Sequence, residues 1–186
     1  MRVMTRLNLD CPRECLPLHD WSASLSTRSG HSLHVRPVRD EDAAALDAFL
    51  KHMSVEDRRF RFPGHDRASL AERLKEMTAV DHVATEHFIG VLPHSHEIIA
   101  SALVTTDAAH EVAGVAIAID RRYKDQGFGW ALLAHVARFA RSHGYLRLVS
   151  VESAQNRGAL AVEQDMGFTI SPLPGDKDLL LVEAEL

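Results

Sequence analysis

Apolar positions along the chain recur with two periods, and the changeovers between them mark its elements. Val115-Ala116-Ile117-Ala118-Ile119 is a short apolar run bounded by turn-forming residues, as a buried strand is. After Tyr123-Lys124-Asp125-Gln126-Gly127-Phe128-Gly129 the spacing changes. Leu132, Leu133, Val136, Phe139 and Ala140 then follow the helical period to about His143, with Gly144 suited to the C′ position. The order predicted is strand, two-glycine turn, helix.

Upstream, Ser24–Thr27 and Ser32–Pro37 read as a hairpin with Gly30 in its turn. Asp40 is placed to cap a helix whose buried face carries Leu46, Phe49, Leu50 and Met53, and Ser54-Val55-Glu56-Asp57 starts a short second helix. Ser69-Leu70-Ala71-Glu72 reads as a capping box for a third helix, with Leu70, Leu74 and Met77 inward. Thr85–Leu92 and Ile98–Thr105 are predicted as antiparallel strands, and Glu111–Ile119 leads into the glycine turn. Downstream, Leu146–Val151 is a strand, Asn156 or Ser153 starts the last helix, and Gly167 closes it. Phe168–Ser171 and Leu179–Glu183 complete a mixed α/β sheet with about four helices.

Composition narrows the function classes. The chain has 186 residues, 46% hydrophobic and 25% charged, which suits one globular domain. A net charge of −5 gives no support for nucleic-acid binding. No apolar run reaches the roughly 18–20 residues of a membrane span. Arg6, Asp10, Arg13 and Glu14 interrupt the N-terminus, so no signal peptide is expected and the cytoplasm is the expected location. Cys11, Cys15 and His19 are spaced at four but lack a fourth ligand, and Pro12 and Pro17 oppose a regular helix, so no metal is expected there. His94 and His96 read as solvated turn residues. Arg58, Arg59 and Arg61, interleaved with Phe60 and Phe62, read as a solvated face with two core aromatics.

The glycine turn is the main candidate for chemistry. A strand-to-helix turn leaves backbone N–H groups unpaired at the helix start, where the macrodipole favours anions. Gly127 and Gly129 would let a phosphate approach the backbone. A tight connection with glycines needed for packing is the other reading of the same residues.

Lys124-Asp125-Gln126-Gly127-Phe128-Gly129 resembles the Gln/Arg-x-x-Gly-x-Gly/Ala motif of the GNAT acetyltransferase superfamily, with lysine in the first place. Asn156-Arg157-Gly158-Ala159 through Gly167-Phe168 resembles that family's second motif. The front half, Val35-Arg36-Pro37-Val38-Arg39-Asp40-Glu41-Asp42-Ala43 and Met53 to Phe62, is similar to the GNAT domain of bacterial protein lysine acetyltransferases (Pat type).

The resemblance implies an N-terminal extension over residues 1–30 and a single GNAT domain over 31–186. That domain is α/β (α+β), with a mixed, mostly antiparallel sheet of about six to seven strands, about four helices, and splayed fourth and fifth strands. It implies acetyl-CoA as co-substrate, no metal, and acetyl transfer to a primary amine, small molecule or protein lysine, by a monomer or homodimer. Ile117, Ala118 and Ile119 would pair with the pantetheine arm. Lys124, Asp125, Gln126, Gly127, Phe128, Gly129, Trp130 and Ala131 would surround the pyrophosphate, and Asn156 would contact the cofactor arm.

The family's usual glutamate base falls here on Gly114 or Ala113, neither of which can take a proton. Glu111 and Glu152 are the carboxylates left near that strand and the next. Glu163 stands where many relatives carry a proton-donating tyrosine, and it also fits a solvated helix position. An acetyl-CoA-binding sensor, or a weak paralogue, is therefore the alternative to an active enzyme.

Overall fold

The computed structural model describes residues 21–53 and 70–186. The expectations for Cys11, Cys15 and His19, for the helix starting at Ser54, for the stretch Arg58 to Phe62 and for the Ser69 cap lie outside these residues.

In chain order the described elements begin with β1 (Ala23–Ser26), β2 (Ser32–Pro37), α1 (Ala43–His52), α2 (Leu70–Thr78), β3 (Thr85–Val91) and β4 (Ile98–Thr106). They continue with β5 (Val112–Ile119), α3 (Phe128–Ser142), β6 (Arg147–Ser153), α4 (Arg157–Asp165), β7 (Thr169–Pro172) and β8 (Leu179–Glu185). Short 3-10 turns at Asp40–Asp42 and Arg121–Tyr123 precede α1 and α3. One eight-stranded sheet runs β1-β2-β3-β4-β5-β6-β8-β7, antiparallel except for β5 and β6. A parallel pair needs a long crossover, and α3 supplies it. The sheet exceeds the expected six to seven strands because β1 pairs with β2 from Ala23↔Val35 to Ser26↔Ser32. The strands expected as fourth and fifth are therefore β5 and β6.

Both faces of the sheet are covered, which explains the nearly unbroken burial along β3 and most of β4. Neighbouring residues point to opposite faces. Phe88 joins Leu132, Val136, Phe139 and Leu148 beneath α3, while Ile89 joins Leu46, Phe49, Leu50 and Met77 beneath α1 and α2. Trp21 stands edge-on to Phe139 at 5.3 Å and ties the start of the described chain to α3.

Asp40 does not cap α1. Arg39 is N-cap of the preceding turn, and Asp42 Oδ2 accepts its N–H at 2.8 Å. Asp42 also takes both Arg36 Nη groups at 2.7 Å, a bidentate pair that fixes the end of β2 to the start of α1.

Candidate active site

β5 and β6 pair only at Val112↔Arg147, Ala113↔Leu148 and Gly114↔Val149, and then part. Their outer edges stay paired, β5 with β4 as far as Ile119↔Ala100 and β6 with β8 as far as Ser153↔Leu179. The two strands are thus held rigidly while a cleft opens between them. It is a concave cleft, open to solvent on one side and lined by both apolar and polar groups, as small-molecule sites are. Val115, Ile117, Ala118 and Ile119 line it from β5, and Ser150 and Glu152 from β6. Asn156 and Glu163 border it from the N-cap and body of α4, with Gly158, Ala159 and Val162 between them.

The end of the cleft is closed by the loop before α3. Asp120 is fully buried, and its Oδ1 accepts the Arg122 N–H at 2.9 Å, fixing the turn at Arg121–Tyr123. Burial alone would raise the Asp120 carboxyl; its bonds to Arg122 overcome this and hold it below the usual carboxylate range. Gly127, at φ +84°, is the N-cap of α3, a conformation that favours glycine. A Cβ at Gly129 would meet only Ile119 Cγ1, at 3.9 Å, so the fold leaves room there.

Lys124, Asp125, Gly127, Gly129 and Trp130 line the cleft, as do Ile117, Ala118, Ile119 and Asn156. Gln126, Phe128 and Ala131 do not. Gln126 donates its side-chain amide to Arg122 O at 3.1 Å, and Phe128 is a core residue against the His31 and Tyr123 rings. Ala131 already donates its N–H to Gly127 O at 3.1 Å. Helix geometry therefore leaves Gly127 to Trp130 as the first-turn donors.

The three carboxylates separate. Glu163 is buried at 5% exposure, with Oε1 accepting from Ser150 Oγ at 2.8 Å and Oε2 lacking a partner among the described residues. Burial pushes its pKa up, partly opposed by the Ser150 hydrogen bond. The solvated reading of Glu163 is therefore corrected. Glu152 borders the cleft and accepts from Asn156 Nδ2 at 2.9 Å. Asn156 Oδ1 caps α4 through the Ala159 N–H at 3.4 Å.

Glu111 is not brought to the cleft. It is exposed before β5, its N–H bonded to Asp107 Oδ1 at 2.9 Å. Gly114 has a sheet-packing role: a Cβ there would lie 3.1 Å from Thr105 Oγ1. Sequence reasoning missed Ser150 and Tyr123, which also border the cleft. It missed, too, the grouping of His52, Glu97 and Asp120. Arg122 Nη2 bonds all three, so an internal cation already occupies the centre of that cluster.

A half-open parallel pair, closed at one end by a glycine-led helix start, is the arrangement that the GNAT resemblance implies. The chain belongs to the GNAT acetyltransferase family, whose model matches residues 49–168. It is an N-acetyltransferase by that membership. It is 26% identical over 158 residues to a curated acetyltransferase of Pseudomonas aeruginosa, covering 84% of each chain. It superposes on the GNAT domain of S. lividans PAT with a TM-score of 0.79 and 26% identity, covering 89% of this chain and 97% of that one. It also shares the fold of a Salmonella typhimurium acetyltransferase solved with acetyl-CoA: TM-score 0.64, 16% identity, 83% and 94% covered. Among the described residues no helix is long and apolar enough to cross a membrane.

Proposed function

We propose that the chain transfers an acetyl group from acetyl-CoA to a primary amine by direct attack on the thioester. The observation that carries this reading is the cleft between β5 and β6, which ends on the glycine-led start of α3. The pantetheine arm lies along Ile117 to Ile119 like an added strand. The pyrophosphate takes the N–H groups of Gly127 to Trp130, with Lys124 adding positive charge.

A lysine amine has a reference pKa of about 10.4 and must lose a proton before it attacks. Glu152, held by Asn156, is the base within the cleft, directly or through a water. Nitrogen bonds to the acetyl carbon, the carbon–sulfur bond breaks, and the thiolate takes a proton from Glu163. Burial favours the neutral, proton-donating form of that carboxyl. A β5 N–H beside Ile117 polarises the thioester carbonyl. Glu111 has no part in this chemistry. The protein-lysine acceptor rests on the resemblance of Val35 to Ala43 to lysine-acetylating relatives. The domain spans residues 31–186, and β1 extends its sheet from the preceding segment.

A second reading, acetyl-CoA binding without fast transfer, is favoured by Ala113-Gly114 at the usual base position. The test is acetyl-CoA turnover against small amines and protein lysines, beside a binding titration. Transfer to an amine supports the enzyme; tight binding with no transfer to any acceptor overturns it in favour of the sensor.

A further inference from the structure

Thr27-Arg28-Ser29-Gly30-His31 joins β1 to β2 in a turn closed from within. Thr27 N–H donates to His31 O at 2.8 Å, and Gly30 N–H to Thr27 O at 3.0 Å. Thr27 is buried, and its Oγ1 accepts the His31 N–H at 3.1 Å and lies 2.9 Å from Ser29 Oγ.

This turn packs on the loop before α3. Ser29 Oγ donates to Gln126 O at 2.8 Å, across 97 positions of sequence. Thr27 Cβ stands 3.2 Å from where a Gly127 Cβ would be. The His31 and Phe128 rings meet at 5.8 Å. A trans peptide points its C=O and N–H in opposite directions. Holding the Gln126 carbonyl toward Ser29 therefore turns the Gly127 N–H away from the hairpin, and Gly127 borders the cleft.

Arg28 is exposed at the tip of the turn. Its guanidinium carbon lies 4.6 Å from the centroid of the Trp130 ring, and Trp130 borders the cleft from the first turn of α3. Trp130 Nε1 is buried and has no hydrogen-bond partner among the described residues. A guanidinium stacked on an indole has its plane fixed while its N–H edges remain able to grip a phosphate.

We infer that Arg28 is a phosphate-binding residue of the acetyl-CoA site and that Ser29 is its positioning residue. This rests on the acetyl-CoA reading above and adds the β1–β2 turn to the site. The ligand group is a phosphate of CoA, either in the pyrophosphate or at the 3′ position.

The test is a titration of CoA, 3′-dephospho-CoA and pantetheine against wild type, Arg28→Ala and Arg28→Lys. Arg28→Ala should weaken CoA about tenfold, Arg28→Lys should lose less, and pantetheine should not distinguish the proteins. A loss confined to CoA places Arg28 on the 3′-phosphate; a loss shared with dephospho-CoA places it on the pyrophosphate. Either result supports the inference. Ser29→Ala should raise the KM for acetyl-CoA and leave kcat unchanged, with Ser29→Thr restoring KM. A wild type that binds CoA beside an Arg28→Ala variant of equal affinity overturns the inference alone. Equal loss on pantetheine overturns it too, because Arg28 would then act on the fold. A wild type that binds none of the three overturns the acetyl-CoA reading and this inference with it.

Discussion

A buried carboxyl with one unpartnered oxygen costs stability when it ionises, and Glu163 is such a group. Its folded pKa is raised, so its contribution to folding is fully present below the ordinary glutamate range. That contribution is lost as pH rises through the folded value. Glu163→Gln keeps the shape and the Ser150 contact while removing the charge. Its unfolding free energy at pH 8 should exceed that of wild type by about 1 kcal/mol. Its kcat should fall about a hundredfold, and the high-pH decline in kcat should vanish. Denaturant titration and a pH–rate profile check both, and an unchanged kcat removes Glu163 as proton donor. The sequence showed where Glu163 lies in the chain. Its burial was hidden because it depends on Ser150, on a strand 13 positions upstream.

At the scale of elements, α3 shows how local pattern and tertiary packing divide the information. Its bounds were legible from Gly127 and Gly144, and its stripe from Leu132, Val136 and Phe139, all buried. His135 is polar, yet its spacing from Leu132 and Phe139 puts it on the same face. It is 2% exposed and stands edge-on to Phe88 at 5.1 Å and Trp21 at 6.0 Å. Burial, with Arg138 adding repulsion, pushes its pKa down from 6.5 to about 4. The unfolded chain therefore binds a proton first as pH falls. The stabilisation is complete above 6.5 and is lost down to about 4, a total of ~3 kcal/mol. Urea unfolding across that range should show the loss, and His135→Leu should flatten it. An equally steep profile in the variant would assign the acid sensitivity elsewhere.

The whole molecule was legible as an order of elements, because most strands and helices carry their own period, and Gly30, Gly127, Gly144, Asn156 and Gly167 mark several of the changeovers. The parting of β5 and β6 was not written in any local pattern. It entered through the family motifs, and the structure shows it as a ladder that ends at Gly114↔Val149. The docking of the β1–β2 turn on the α3 loop was likewise invisible, since its contacts join residues about a hundred positions apart.

The central claim is that acetyl-CoA occupies this cleft with its phosphates against the start of α3. Gly129 tests it cleanly, because the fold leaves space at its Cβ and the position is helical. The decisive measurement is calorimetric titration of acetyl-CoA against wild type and Gly129→Leu, with thermal unfolding of both. The variant should unfold no earlier than wild type and bind acetyl-CoA at least about tenfold more weakly, a loss of about 1.4 kcal/mol or more. An equally stable variant that binds acetyl-CoA as tightly as wild type would contradict the account.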